Sequence, residues 1–385
     1  MTKKLILPLT GVFAAVVSLT LVMLGNPANM GFCIACFLRD TAGAVGLQNV
    51  ATVQYARPEI MGMILGAFVL SVAKKEFSPT GGSAPLTRFA LGFALAVGVL
   101  IFLGCPLRMA LRIAGGDLNA VVGLCGFAAG IGGGVFFLNK GYSLKRAYRV
   151  SATDGFLMPL GALLLLGLLA FVPSLLAFST EGPGSMHAPL WASLAAGLAM
   201  GAVGFLSRLC FVAGIRDSIL FKNFSMLGAF GALIAAGIIG NLVLGKFNLG
   251  FQGQPIAHTD GLWNFLGMAL SGLCAVLLGG CPFRQLILAG SGSSDSAVAI
   301  LGLLAGTAFA HNFKMASSAA GVTANGKAGF AIALVVVLGI AVYNTFGPDT
   351  QAARATQAAQ ATQANQANQA TQTARMAPEK AGENA

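Results

Sequence analysis

Ten long apolar segments constrain this chain more than any other feature of its sequence. A helix needs about 20 apolar residues to cross the hydrocarbon core of a bilayer, and the segments that reach or approach this length are residues 5–24, 58–73, 86–104, 118–138, 155–178, 190–208, 224–244, 262–280, 297–313 and 328–346. Charged residues make up only 9% of the 385 residues, too few to solvate a globule of this size. In lipid the backbone polar groups must be satisfied internally. The sequence therefore predicts an all-α polytopic membrane protein with about ten transmembrane helices.

The distribution of positive charge predicts the orientation in the membrane. The net charge is +11, but the Lys and Arg residues lie in short loops, which argues against a nucleic-acid partner. With the N-terminus inside, ten of these residues, Arg88 among them, fall on the cytoplasmic side, and four, Arg57 among them, fall outside. We therefore expect cytoplasmic N- and C-termini in a bacterial inner membrane. Lys3 and Lys4 before residues 5–24 are also compatible with a signal peptide, but the length of the run favours a first crossing.

The chain contains an internal repeat. Residues 104–108 (GCPLR) recur as 280–284 (GCPFR), 176 positions later, and residues 126–130 (GFAAG) recur as 302–306 (GLLAG) at the same offset. Cys33, with an Arg-Asp pair six residues later, recurs as Cys210 at an offset of 177. Three matched anchors in one order indicate a duplication.

The repeat predicts the domain organisation. Each unit holds five crossings, and an odd number turns the second unit upside down, as in many secondary transporters with inverted repeats. We expect a first repeat core over residues 1–150, a fifth crossing over 151–180, a second repeat core over 181–325 and a last crossing over 326–348. Residues 349–385 begin with a run rich in Ala, Gln, Thr and Asn, a composition typical of a disordered low-complexity tail.

Four shorter amphipathic pieces, near residues 33–48, 105–115, 210–222 and 281–291, are too short to cross. We expect them to be re-entrant helices meeting near the midplane. Each begins after a cysteine, which would then lie at the helix N-terminus, where free N–H groups and the positive dipole end favour an anion. The predicted substrate path consists of Cys33, Cys105, Cys210, Cys281, Arg108 and Arg284. The alternative is that these thiols are small buried hydrophobes, as we interpret Cys125 and Cys274.

Arginines within apolar surroundings are costly and need partners, and six lie there: Arg39, Arg108, Arg112, Arg208, Arg216 and Arg284. Nearby aspartates can neutralise most of them, so we expect structural ion pairs that involve Arg39, Asp40, Arg216, Asp217, Asp117 and Asp295. There are six such arginines and four aspartates, so two arginines remain without a carboxylate partner. Arg108 and Arg284 are the candidates for these two because they adjoin thiols. A net positive pocket follows from this count.

Cys33 and Cys36 form a C-x-x-C pair, which is compatible with redox chemistry. The second half has Ala213 in the position of Cys36, so the pair is not part of the repeated design. The histidines are scattered and none lies at ligand spacing from a cysteine, so we expect no metal and no cofactor.

These motifs resemble the YeeE/YedE family, most closely its YedE branch, which is associated with selenium transport. The resemblance covers approximately residues 25–346, and the segments that carry it are 31–40, 104–108, 115–120, 182–189, 207–217, 253–264 and 280–290. It implies an hourglass of inverted halves. Relatives of YeeE import thiosulfate along cysteines that match Cys33, Cys105 and Cys281, and the family is often linked to TusA-like sulphur-carrier proteins of the cytoplasm.

The leading hypothesis is a membrane transporter, not an enzyme, for uptake of a small inorganic species containing sulphur or selenium. A cysteine relay through a central constriction would carry it. The first alternative is a membrane thiol oxidoreductase or sulfurtransferase that uses Cys33 and Cys36. The second is a membrane scaffold for a cytoplasmic TusA-like carrier, in which the basic inner loops would matter and the central cysteines would not.

Overall fold

A computed structural model describes residues 3–348, so the predicted low-complexity tail lies outside the described residues. In this part of the chain the α-helices are α1 (Lys3–Met23), α2 (Ile34–Ala44), α3 (Pro58–Ala73), α4 (Pro85–Phe102), α5 (Pro106–Ala114), α6 (Leu118–Asn139), α7 (Ala152–Phe171), α8 (Leu190–Ser207), α9 (Phe211–Phe221), α10 (Ser225–Val243), α11 (Gly261–Leu277), α12 (Pro282–Gly290), α13 (Ser294–Asn312) and α14 (Ala324–Phe346). A 3₁₀ turn covers Pro173–Leu175. Two short strands, β1 (Thr80–Gly81) and β2 (Tyr148–Arg149), pair antiparallel.

The described helices confirm the prediction of an all-α polytopic membrane protein. Nine of the helical stretches within residues 3–348 are long and apolar enough to cross a membrane. The tenth predicted crossing is α3, which is apolar but has only 16 residues. The short helices α2, α5, α9 and α12 lie within the four pieces that the sequence marked as too short to cross.

Local sequence chemistry sets where these helices begin. Proline occupies the first turn of α5 and α12, where its missing N–H costs nothing and its fixed φ suits the helix. Side-chain oxygens cap two longer helices: Asp117 accepts from the N–H of Asn119 before α6, and Ser293 accepts from the N–H of Ser296 before α13. The short helices α5 and α12 are thereby separated from the long helices α6 and α13 that follow them.

Glycines let neighbouring helices approach until their backbones touch. A Cβ on Gly62 of α3 would lie 2.7 Å from the carbonyl oxygen of Leu194 in α8, and one on Gly197 would lie 2.5 Å from that of Glu59. Real Cβ atoms do not approach an oxygen this closely, so only glycine fits. Small residues at helix interfaces are typical of membrane proteins, where close packing replaces the hydrophobic drive between helices.

The helices pack in matched sets. The helix α3 packs on α8 and α10 on α1, while α6 packs on α11 and α13 on α4, so each of these contacts joins one helix of the first half to one helix of the second. The short helices follow the same rule: α5 packs on α10 and α12 on α3, while α2 packs on α13 and α9 on α6. The helices α1–α6 match α8–α13 in chain order, and in each pair of contacts the second follows from the first when every helix is replaced by its counterpart. The helices α4 and α11, counterparts of each other, pack together.

Candidate functional site

The N-termini of α2 and α5 bring three thiols together, which we call the first thiol cluster (Cys33, Cys36 and Cys105). Cys33 is the N-cap of α2, and its Sγ accepts from the N–H of Cys36 and lies 2.8 Å from the Cys36 Sγ. Cys105 is the N-cap of α5, and its thiol interacts with that of Cys33 and with the backbone N–H groups of Ala35 and Arg108. All three side chains are buried and none is in a disulfide.

The N-termini of α9 and α12 form the corresponding second thiol cluster (Cys210 and Cys281). Each cysteine is the N-cap of its helix, and the two Sγ atoms are 4.0 Å apart. The backbone N–H of Ala213 faces Cys210, and that of Arg284 faces Cys281. The second cluster thus repeats the geometry of the first, with Ala213 in the place of the third thiol.

Arg108 is fully buried beside the first cluster. Its guanidinium donates to backbone carbonyls, those of Leu103, Asn29 at 3.3 Å and Ile256 at 3.2 Å, and its Nη1 lies 3.8 Å from the Cys36 Sγ. Carbonyls carry no net charge, so the positive charge stays uncompensated. An anion beside these thiols would therefore be attracted to it.

Arg284 holds the corresponding place beside the second cluster. It is partly buried and interacts electrostatically with both Cys210 and Cys281. Among residues 3–348, no carboxylate lies within ion-pair distance of either Arg108 or Arg284. The two arginines that the sequence left unpaired thus each adjoin a thiol cluster.

The predicted ion-pairing residues all take part in ion pairs, but not only with the expected partners. Arg39 lies 2.7 Å from Asp40 and Arg216 lies 2.8 Å from Asp217. Asp117 pairs with Arg112 at 2.6 Å, and Asp295 lies 3.6 Å from Arg88, which the sequence placed in a cytoplasmic loop. Arg208, grouped with the membrane arginines, has a side chain 71% exposed and lies 3.8 Å from Glu76.

Arg57 is a residue that the sequence analysis missed. It was assigned to an outer loop, yet it is fully buried and its Nη2 lies 2.8 Å from the Asp40 carboxylate. It also donates to the carbonyls of Pro183 and Met186. Its position directly before Pro58, the first residue of α3, did not indicate that Arg57 would be buried and hydrogen-bonded, because the partners are distant in sequence.

A cavity of about 500 Å³ lies next to the first cluster. Positive or titratable side chains on its wall are Arg39, Lys314 and His311, and no acidic side chain lines it. Leu103 and Ile256 also line it, and their carbonyls hold Arg108. The cavity is therefore suited to an anion on its way to the thiols.

Another cavity, of about 660 Å³, lies between α4, α13 and α14, away from both thiol clusters. It is lined by apolar side chains such as Phe89, Phe93 and Phe309, and neither a thiol nor a charged group borders it. The remaining cysteines lie outside both clusters, with Cys125 exposed and Cys274 buried. Within residues 3–348, no group of three or more His, Cys, Asp or Glu side chains is placed to hold a metal ion.

The fold and these clusters define an integral membrane protein of the polytopic all-α class, with paired helix N-termini, thiols and arginines in its interior. The model of a family described as sulphur transport matches residues 206–381. This match contains the second thiol cluster, and it fits the resemblance of the motifs to the YeeE/YedE sulphur transport family. A search of curated proteins found no match.

Proposed function

We propose that the protein takes up a small inorganic anion that contains sulphur or selenium and passes it along cysteine thiols. One observation carries the proposal. Two pairs of helix N-termini each meet at buried thiols, beside an arginine with no carboxylate partner among the described residues. Backbone N–H groups, S–H groups and a guanidinium all donate to an anion, so each cluster offers only favourable contacts to a negative solute.

The proposed architecture is an inverted repeat with the clusters on either side of the bilayer centre. The matched packing of α3 on α8 and α10 on α1, and of α6 on α11 and α13 on α4, supports a two-fold relation between residues 1–150 and 181–325. The helices α7 and α14 would then be the crossings outside the two cores. In this arrangement α2, α5, α9 and α12 are re-entrant helices, and their N-termini meet near the midplane, where transporters of this plan bind solutes.

The relay needs no covalent step. An anion in the cavity beside Arg39 and Lys314 would first be attracted by the charge of Arg108. It would then accept S–H hydrogen bonds from Cys33 and Cys105, and after them from Cys281 and Cys210. Successive weak sites suit conduction, because a solute must bind well enough to enter and weakly enough to leave. The charge distribution, ten basic residues against four, supports a cytoplasmic N-terminus. Inward flow follows the resemblance to thiosulfate importers. The selenium assignment follows the resemblance to the YedE branch.

One observation favours a second function, a thiol oxidoreductase or sulfurtransferase. The Sγ atoms of Cys33 and Cys36 are only 2.8 Å apart, close enough that a small change would bring them to bonding distance. Such an enzyme would need both thiols and would have no use for the second cluster.

The deciding experiment is uptake of radiolabelled thiosulfate and selenite into proteoliposomes that contain the wild type, Cys105→Ala or Cys281→Ala. Cys125→Ala is the matched control, because that thiol is exposed and lies in neither cluster. We expect both cluster variants to lose uptake and the control to keep it, with the preferred label identifying the substrate. Uptake that survives both changes would exclude the relay, and a wild type that takes up neither label would favour the oxidoreductase.

A further inference from the structure

Glu59 is a buried carboxyl group that the proposed relay does not use. It lies in the first turn of α3 and is fully buried. Its Oε1 accepts from the Nδ2 of Asn26 at 2.9 Å and from the Oγ of Ser193 at 3.1 Å. Its Oε2 has no hydrogen-bond partner, and no cationic side chain within residues 3–348 forms an ion pair with it.

The surroundings of Glu59 combine contacts that oppose a negative charge with contacts that stabilise one. Burial without a cationic partner penalises the ionised form, and an unpartnered oxygen adds to that penalty. The positive end of α3 and the two donors to Oε1 favour the ionised form.

The titratable groups that face Glu59 come from the segments packed around α3. Tyr55 interacts with it from the preceding loop: burial first, and then the charge of Glu59, raises the pKa of Tyr55 to about 12. Arg57 is committed to Asp40. His187 of the loop before α8 stacks on Tyr55 with ring centroids 4.0 Å apart. None of these compensates the Glu59 charge directly.

Asn26 connects Glu59 to the substrate path. The Nδ2 that donates to Glu59 also donates to the carbonyl of Gly31 at 3.2 Å, two residues before Cys33. The Oδ1 of the same side chain accepts from the N–H of Ala188 at 2.8 Å, in the loop over this end of the molecule. The Asn26 side chain therefore joins Glu59 by hydrogen bonds to the segment that carries Cys33 and to the covering loop.

The second half has no equivalent group. The helix α10, the counterpart of α3, contains no acidic residue. The repeat therefore does not require a carboxyl group at this position, and α10 packs on α1 without one. Glu59 is a costly buried group that has no counterpart in the second half, and it is linked to the substrate path through Asn26. Such a group is expected to have a function of its own.

We propose that Glu59 is a proton-binding site linked to occupancy of the first thiol cluster by the anion. This inference rests on the proposed function. An anion beside Cys33 adds negative potential and favours protonation of Glu59, and by reciprocity protonation of Glu59 favours the anion. A proton gradient directed inward would then drive uptake of the anion against an unfavourable membrane potential.

The test compares two modes of thiosulfate movement in proteoliposomes. Counterflow, the exchange of labelled for unlabelled thiosulfate, needs no net proton movement, whereas net uptake under an imposed inward proton gradient does. We expect the gradient to accelerate net uptake by the wild type, with alkalinisation of the outside medium. Glu59→Gln should keep counterflow and lose both responses. Glu76→Gln, which changes an exposed carboxylate, is the matched control and should behave as the wild type.

Ser193→Ala is a second variant that leaves the carboxyl in place. It removes one donor to Oε1, so the ionised form becomes less favourable and the pH dependence of uptake should shift to higher pH. A wild type without counterflow would contradict the proposed function. Counterflow without any gradient response, a gradient response that survives in Glu59→Gln, or an unshifted pH profile in Ser193→Ala would each overturn the proton site alone.

Discussion

The two thiol clusters are built on the same plan but differ in how firmly they are held. In the first, every residue of α2 is buried, Arg108 is fully enclosed, and Asp40 pairs with both Arg39 and Arg57. In the second, only the first four residues of α9 are buried, and Arg284 is partly exposed. The Arg216–Asp217 pair there retains about a quarter of its side-chain exposure, 24% and 22%.

The difference indicates which cluster is fixed and which can adapt. Buried ionic groups must keep their partners because separation would leave a charge in a medium of low dielectric constant. Exposed pairs can exchange their partners for water at little cost. We therefore expect the first cluster to act as the rigid part of the path, where the geometry is selective, and the second as the part that rearranges when the solute leaves.

The largest contrast should come from the aspartates that follow the two clusters. Asp40→Asn leaves Arg39 and Arg57 buried without a carboxylate and should destabilise the protein by about 3–5 kcal/mol. Asp217→Asn breaks a partly exposed pair and should cost about 1 kcal/mol or less. Thermal unfolding of both variants in one detergent measures the difference. Equal losses would mean that the two halves are equally rigid.

Substitutions of the two arginines beside the thiols should differ less from each other than the two aspartate substitutions do. The difference should appear in the rate of uptake rather than in stability. Arg108→Gln removes a buried charge and its fork of carbonyl contacts, so we expect uptake to fall by about tenfold or more, since a charged hydrogen bond contributes about 1.5–3 kcal/mol. Arg284→Gln should cause a smaller loss, because water can reach that site. Initial uptake rates in proteoliposomes measure both.

Lysine substitutions sharpen this comparison. Lys keeps the positive charge but cannot reproduce the planar fork of the guanidinium. Arg108→Lys should therefore remain impaired, whereas Arg284→Lys should recover most of the uptake. A full recovery in Arg108→Lys would show that charge alone matters in the first cluster, and the distinction between rigid and adaptable sites would lose its basis.

The sequence predicted the parts of this site that depend on local chemistry. Cysteine followed by proline after a long apolar run marks the start of a short helix, and α5 and α12 begin at Pro106 and Pro282. Repetition of the motif then placed the other cysteines at equivalent helix starts. The number and apolar character of the long helices followed from composition alone, because lipid leaves few alternatives.

The contacts that distinguish the two halves were not predictable in this way. Arg57 reaches Met186, 129 positions away, and Glu59 reaches Ser193, 134 positions away. Asp295 pairs with Arg88 rather than with a nearer arginine. These partners meet because helices from opposite halves pack together, and neither hydrophobic periodicity nor charge counting encodes that pairing.

His258 should make the contact between its loop and α4 sensitive to acid. It is almost fully buried, its Nε2 lies 2.7 Å from the carbonyl oxygen of Ile101, and its Nδ1 accepts from the N–H of Asp260. Both nitrogens are thus used in the neutral form, and burial lowers the pKa of His258. Since the unfolded chain binds the proton more readily, stability is fully present above a pH of about 6.5 and is lost as the pH falls below it.

The variant His258→Gln isolates this contribution. Glutamine retains an N–H donor near Ile101 but does not titrate, so its unfolding temperature should be lower than that of the wild type near neutral pH and should converge with it as the medium is acidified. Melting curves measured across this pH range for the two proteins give the difference directly. Parallel curves would assign the acid sensitivity to other groups.

The smallest effect is expected for the one thiol that the two clusters do not share. Ala213 occupies the position of Cys36 in the second half, so the proposed relay would use a single thiol at that helix start. Cys36→Ala should therefore leave uptake close to that of the wild type, and Arg108 keeps its carbonyl partners. Cys33→Ala, the matched variant one turn away, should abolish uptake. Equal loss in both would instead favour the oxidoreductase, because a dithiol pair needs both sulphurs to form and break its bond.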